Sequence, residues 1–198
     1  NYNSIKLSEK ANEISRKFSI NQKLSEAIIR ESDIIFGGVS GFVITSANNI
    51  MAPNAGIDKS NSQGKLILYP NDPYLIAEQI KRKFFLDYSL HVGIIIVDSR
   101  LMPARIGTSG VAIACSGIEP VSDRRATKDL DGNVLKVTFQ AVADNLASIA
   151  NHKMGEADEL LPIAIIRKSG AKLTDRKISS EETAIPYDEC VYVRGLKR

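Results

Sequence analysis

The sequence predicts an α+β fold: mixed helices and strands of irregular topology, with neither a Rossmann domain nor a phosphate-binding P-loop. Three observations lead there. Segments of helical period and short β-branched runs both occur, which excludes an all-helical or all-strand chain. They do not alternate strictly as strand, helix, strand, as a doubly wound parallel sheet requires. The chain also contains neither GxGxxG nor GxxxxGK[ST], the glycine loops that cradle nucleotide phosphates.

The elements follow in order. Ile5 to Phe18 reads as a helix, with Leu7, Ala11, Ile14 and Phe18 on one face. Asn21 is placed to cap a second helix to about Ser32, which Gly37-Gly38 would break. Phe42 to Thr45 is a strand, Ile50 to Ser62 mostly loop, and Leu66 to Tyr69 a short strand. Asp72 caps, and Pro73 opens, a helix to about Leu86. The β-branched run His91 to Val97 suggests a strand buried on both faces. Gly110 to Ser116 is a strand, Pro120 to Gly132 a polar loop, and Val134 to Thr138 a strand. Phe139 to Met154 is a helix closed by Gly155. Leu161 to Arg167 and Val191 to Val193 read as strands, and Lys168 to Thr183 as a polar, mobile loop. No repeat, low-complexity stretch or linker divides residues 1–198, so they read as one region, with room for intertwined sub-domains.

Composition narrows the function classes. Hydrophobic residues make up 43% and charged residues 25% of the 198, as in ordinary globular proteins. The net charge of +3 is small and its basic residues are scattered, so no nucleic-acid partner is expected. No apolar run approaches the roughly 20 residues that span a bilayer, and no signal peptide is visible. Cys115 and Cys190 read as buried free thiols of a reducing cytoplasm, and no Cys/His cluster suggests zinc. His91 and His152 lie in no nucleophile motif.

Candidate site residues lie in three distant segments. Asp58 and Asn61 fall in Asn54-Ala55-Gly56-Ile57-Asp58-Lys59-Ser60-Asn61. Asp98, followed by Ser99, ends the apolar run, where α/β folds often bind ligands. Glu156 falls in Met154-Gly155-Glu156-Ala157-Asp158-Glu159. One reading has these side chains capping turns and helices, with Gly56 at a positive φ. The other has oxygen donors converging on Mg²⁺ or Mn²⁺ and, through it, on a phosphate. Arg100, Arg105, Arg124 and Arg125 sit in loops where they form surface ion pairs or receive a carboxylate or phosphodiester.

Taken together, these segments resemble the coenzyme F420-0:γ-glutamyl ligases (the CofE family). Residues 54–61 resemble its NAG[IV]DxSN, and Val92 to Pro103 its VGVIISDTxGRP. Residues 111–118 resemble GVAIGVAGI, Lys128 to Thr138 KDLYGRxLRVT, Ala143 to Ala147 ADELA, and Met154 to Glu159 MGxxDE. Order and spacing agree over nearly the whole chain.

The resemblance implies a GTP-dependent ligase that joins L-glutamate to the lactyl carboxylate of a deazaflavin precursor through an acyl phosphate. It further implies two Mg²⁺ or Mn²⁺ ions, K⁺ as an additional ion, and a homodimer. By position, Asp58 and Asp98 are the implied catalytic residues and carry one ion, while Ser99 and Glu156 help hold a second. Asn61 and the loop Met154, Gly155, Glu156, Ala157, Asp158, Glu159, Leu160 and Leu161 are implied to contact the nucleotide. Three departures stand out. Ser99 replaces threonine, Arg100-Leu101-Met102 replaces a glycine-aromatic segment, and Asp131 replaces an aromatic residue. Family members also begin with a segment carrying part of the nucleotide site, expected here to be missing. Two rivals therefore remain: a related ligase acting on another acid, and a catalytically silent nucleotide- or cofactor-binding homologue.

Overall fold

The computed structural model describes residues 6–195. Two compact units divide the chain, one ending at Asn71 and one beginning at Asp72. Helices mix with small antiparallel sheets and no closed barrel, which is the expected α+β class.

In the first unit, α1 (Glu9–Phe18) starts where the Ser8 hydroxyl accepts the Ala11 N–H. Ile5, the expected start, lies outside the described residues. α2 (Gln22–Glu31) is capped by Asn21, whose Oδ1 accepts from the N–H groups of Lys23 and Leu24. The inward faces meet in a core of Ile14, Phe18, Ile20, Leu24, Ile28 and Val43. Each such side chain contributes about 1.5–3 kcal/mol when fully buried. Buried Glu26 fastens the two helices together, accepting from the Ser8 N–H at 2.8 Å and from Arg30 Nε at 2.9 Å.

A three-stranded antiparallel sheet follows, β1 (Ile34–Val39), β2 (Phe42–Ala47) and β3 (Ile50–Pro53), in that spatial order. Gly37 and Gly38, expected to break a helix, instead lie inside β1 at a register slip. A Cβ on Gly38 would fall 2.2 Å from the Phe42 carbonyl, so the hairpin needs glycine there. The loop expected from Ile50 includes β3, and the strand expected at Leu66 to Tyr69 shrinks to a bridge between Ile67 and Asp58.

In the second unit, α3 (Pro73–Tyr88) opens as expected, with Asp72 Oδ1 accepting the Leu75 N–H. β4 (Ile94–Leu101) pairs antiparallel with β5 (Thr108–Ser116), with a bulge between Ile96 and Val97. β4 thus begins and ends later than expected, and its residues are half-buried, or exposed at Leu101, rather than buried on both faces. β6 (Val121–Asp123) pairs with β7 (Phe139–Ala141) at the base of a long hairpin. Its tip turns on Asp129, whose carboxylate accepts from the N–H groups of Asp131 and Asn133. The strand expected at Val134 to Thr138 is reduced to a bridge at Val134. α4 (Val142–Met154) buries Ala143, Ala147 and Ala150.

The core here joins Cys115, Ile118, Ala143 and Ile178, with Tyr74, Ile95 and Leu146 packed against them. Burial, assisted by the charges of Glu182 and Asp144, pushes the Cys115 thiol up to about 12. Cys190 is half-exposed, so the expectation of two buried thiols holds for Cys115 alone. Residues 168–183 are tied down. Arg176 pairs with Glu119 and Glu182, and Thr174 N–H donates to the Gly117 carbonyl at 3.1 Å. Among the described residues no strand forms over Leu161 to Arg167, and Val191–Gly195 forms a short helix, α5, instead of a strand. No helix among the described residues is long and apolar enough to cross a membrane.

Candidate functional site

Asp98 does not follow the end of a strand. It lies inside β4 opposite Val111, because the pairing continues to Leu101 opposite Thr108. The pleat sends successive side chains to opposite faces. Asp98 and Arg100 therefore share one face, and Ser99 and Leu101 the other, together with Gly110 and Thr108 across the ladder.

On the Ser99 face the hairpin meets Glu156. Its Oε1 accepts from Thr108 Oγ1 at 3.0 Å and from Asn151 Nδ2 at 2.6 Å, and Ser99 also hydrogen-bonds the carboxylate. Three elements thus converge on one acid: β4, β5 and α4. Burial works against the charge on Glu156. The hydrogen bonds from Asn151, Ser99 and Thr108 outweigh it and hold the carboxyl below its ordinary value, against opposition from Glu159.

The approach of α4 makes this possible. Asp144 Oδ1 accepts the Ala112 N–H at 2.9 Å, and Ser148 Oγ donates to the Gly110 carbonyl at 2.7 Å. The exposed ladder groups of β5 are thereby satisfied by side chains of α4. A Cβ on Gly110 would lie 2.4 Å from Asn151 Cβ and 2.6 Å from the Ala147 carbonyl, so glycine sets the distance at which α4 runs. After Met154, Gly155 ends the helix at φ 84° and ψ −179°, a region open essentially to glycine alone. A Cβ there would strike the Glu159 carboxylate, which turns back to accept the Ala157 N–H at 2.8 Å. Asp158, Leu160 and Leu161 continue the loop in exposed positions.

In the first unit, Asp58 sits beyond a left-handed turn in which Asn54, Ala55 and Gly56 have φ of 51°, 57° and 68°. The positive φ expected of Gly56 is present, and a Cβ there would collide with the Tyr69 ring. The turn is locked to β2: Asn54 Oδ1 accepts the Val43 N–H at 2.9 Å, and Thr45 Oγ1 accepts the Ala55 N–H at 2.8 Å. Two backbone bonds, at 3.0 and 2.9 Å, fix Asp58 against Ile67. Both carboxylate oxygens of Asp58 accept from Ser60, one from its N–H and one from its hydroxyl. Burial raises the Asp58 carboxyl, but the Ser60 and Lys59 hydrogen bonds prevail and the net shift is downward. Asn61 follows at φ 48°.

Of the residues expected in the site, the structure joins Ser99 to Glu156. Asn151, Thr108, Asn54 and Thr45, which sequence reasoning passed over, hold the candidate acids in place. Asn151 stands five positions before Glu156, within reach across a glycine-terminated helix end. That spacing was a readable signal, whereas the Thr108 contact depends on hairpin register. Among the described residues no three His, Cys, Asp or Glu side chains gather as a metal-binding group.

A family model described as F420-0:Gamma-glutamyl ligase matches residues 1–168. The chain belongs to this ligase family. It is 37% identical to the coenzyme F420:L-glutamate ligase of Methanocaldococcus jannaschii over 93% of this chain and 74% of that protein. It is 40% identical to the Methanopyrus kandleri enzyme of the same name over 73% of this chain and 58% of that one. The Archaeoglobus fulgidus enzyme is 34% identical over 96% of this chain and 76% of its own length. In this member of the F420-0:γ-glutamyl ligase family, Glu156 and Asp98 fall within the matched region, as does Asp58.

Proposed function

We propose that the protein joins L-glutamate to the carboxylate of the coenzyme F420 precursor F420-0, driven by GTP and a divalent metal. Family membership supports the ligase class, and the relatives' names supply the substrate. The observation that carries the reading is Glu156, an acid held ionised by side chains from three elements beside Ser99.

The chemistry suits such a site. A carboxylate resists attack by an amine. Its oxygen takes the γ-phosphoryl of GTP, the β–γ P–O bond breaks, and an acyl phosphate forms. The glutamate nitrogen then attacks the acyl carbon, phosphate leaves with the former carboxylate oxygen, and the nitrogen gives up a proton. No protein nucleophile is needed; positioning and charge neutralisation suffice.

The Glu156 carboxylate and the Ser99 and Thr108 hydroxyls are hard oxygens, which would fit Mg²⁺ or Mn²⁺. Ser99 and Glu156 would hold one ion, and the carboxylates of Asp58 and Asp98 are each proposed as ligands. A bound ion would neutralise phosphate charge. Asn151 and Thr108 orient Glu156, and the Asn54–Gly56 turn presents Asp58.

A second reading, ligation to another acid acceptor, is favoured by the Arg100-Leu101-Met102 departure. Incubation with F420-0, L-glutamate, GTP and Mn²⁺, followed by mass spectrometry, separates the two. A gain of one or more glutamyl units supports the first reading. No gain from a folded, metal-loaded protein shifts the case to another acceptor or a silent homologue.

A homodimer completes the proposal. Leu161, Ile163 and Ile165 alternate along a segment that pairs with no strand among the described residues, and are 55%, 80% and 77% exposed. A second copy would cover them.

A further inference from the structure

Arg100 occupies a position in the structure that its own chain does not explain. It lies in β4, one residue beyond Ser99 and on the same face as Asp98. The residue is half-buried, its Nε is sealed from solvent, and no acceptor reaches that atom. Among the described residues no ion pair includes it, whereas Arg30, Arg125 and Arg176 each face a carboxylate. Its cross-strand neighbour Ser109 turns its hydroxyl to Ser148 Oγ, 3.1 Å away, and does not bond the Arg100 Nε.

A guanidinium stays charged at any physiological pH, and its N–H groups have no acceptor capacity of their own. Removing Nε–H from water without a partner costs free energy, so its retention calls for an explanation, and an acceptor supplied from outside the chain is one. The residue is only half-buried, and the planar fork it presents suits the two oxygens of a carboxylate or phosphate. Asp98 stands two residues away on the same face, a Cα spacing of roughly 7 Å. A carboxylate and an unpaired guanidinium at that spacing can hold a cation and an oxyanion side by side.

We propose that Arg100 is an anchor for one oxyanion of the substrates, a carboxylate or a phosphate, and so helps set which substrate the enzyme accepts. This rests on the ligase reading for the identity of the substrates, although not for the anion chemistry. The three anionic substrates under that reading, L-glutamate, F420-0 and GTP, are alternative sources of one chemistry.

The test measures binding of L-glutamate, F420-0, GTP and inorganic phosphate by calorimetry, together with KM for each substrate. Wild type is compared with Arg100→Lys and Arg100→Met. Arg100→Met removes the buried Nε–H that lacks a partner, so its melting temperature should match or exceed that of the wild type. Arg100→Lys keeps the charge but loses the fork. The expected result is a loss of at least tenfold in affinity for one substrate in Arg100→Met, with a smaller loss in Arg100→Lys and the others within about threefold. The affected substrate names the source of the oxyanion. The proposal is overturned if wild type binds none of the four, or if both variants bind all of them as wild type does. It is also overturned if all affinities fall together with the melting temperature. Arg100-dependent anion binding without ligation would uphold the anchor and overturn the ligase reading. Ligation unaffected in both variants would do the reverse.

Discussion

Thr45 is fully buried, and its hydroxyl both donates to the Ala52 carbonyl at 2.7 Å and accepts the Ala55 N–H at 2.8 Å. Thr45→Val keeps the shape and strands both backbone groups in the interior, so a loss of about 1–3 kcal/mol is expected in urea denaturation. It should also lower activity, because the left-handed turn leading to Asp58 loses a fastening. Glu26 gives a pH signature. Hydrogen bonds from Ser8, then the Arg30 contact, outweigh burial and bring its carboxyl from 4.5 to about 2. A depressed carboxyl stabilises the fold above its unfolded value and ceases to do so as pH falls through the folded one. Glu26→Gln should therefore be less stable than wild type at pH 7, with the gap closing as pH falls from 4.5 toward about 2. Equal stabilities at pH 7 would show that this bridge contributes nothing. Glu156 is depressed in the same direction, so Glu156→Gln at neutral pH removes a full charge. A fall in divalent-ion affinity of about 10- to 100-fold is expected by titration calorimetry, the scale at which metal-site partners act.

At the scale of elements, α4 is set on β5 by Gly110. Gly110→Ala places a methyl against Asn151 and the Ala147 carbonyl, which must shift α4 and with it the Asn151 contact to Glu156. Activity should fall more than stability does, and a kcat unchanged from wild type would refute the linkage. The α4 contact was beyond sequence reasoning, but the helices themselves were not. Asn21 and Asp72 cap where their chemistry puts them, and Gly155 stops α4, because capping is decided within four residues. Strands were harder to place. The ends of β4 depend on how far Thr108 and its neighbours pair, and Leu161 to Arg167 has β-branched residues but no partner strand. Val191 to Val193 is too short for its period to separate strand from helix. The site divides in the same way. Asp58, Asp98, Ser99 and Glu156 stand out by type and motif, while Thr108 enters only through hairpin register.

At the scale of the whole molecule, the proposed dimer makes a clear demand on the segment after Glu159. Ile163→Asp should convert a dimer to a monomer in light scattering, at little cost to the fold of a residue 80% exposed. A wild type that is monomeric at micromolar concentration would end that proposal. The two cysteines give this chain a built-in clock. Cys115 is 1% exposed with its thiol pushed up to about 12, so a maleimide should find it inert in the native state. Cys190 is accessible by comparison. One thiol should react quickly and the other only as the second unit opens, so counting adducts over time at saturating maleimide, where labelling outpaces reclosing, reads the opening rate. The same asymmetry lets a single fluorophore be placed on Cys190 with no cysteine removed.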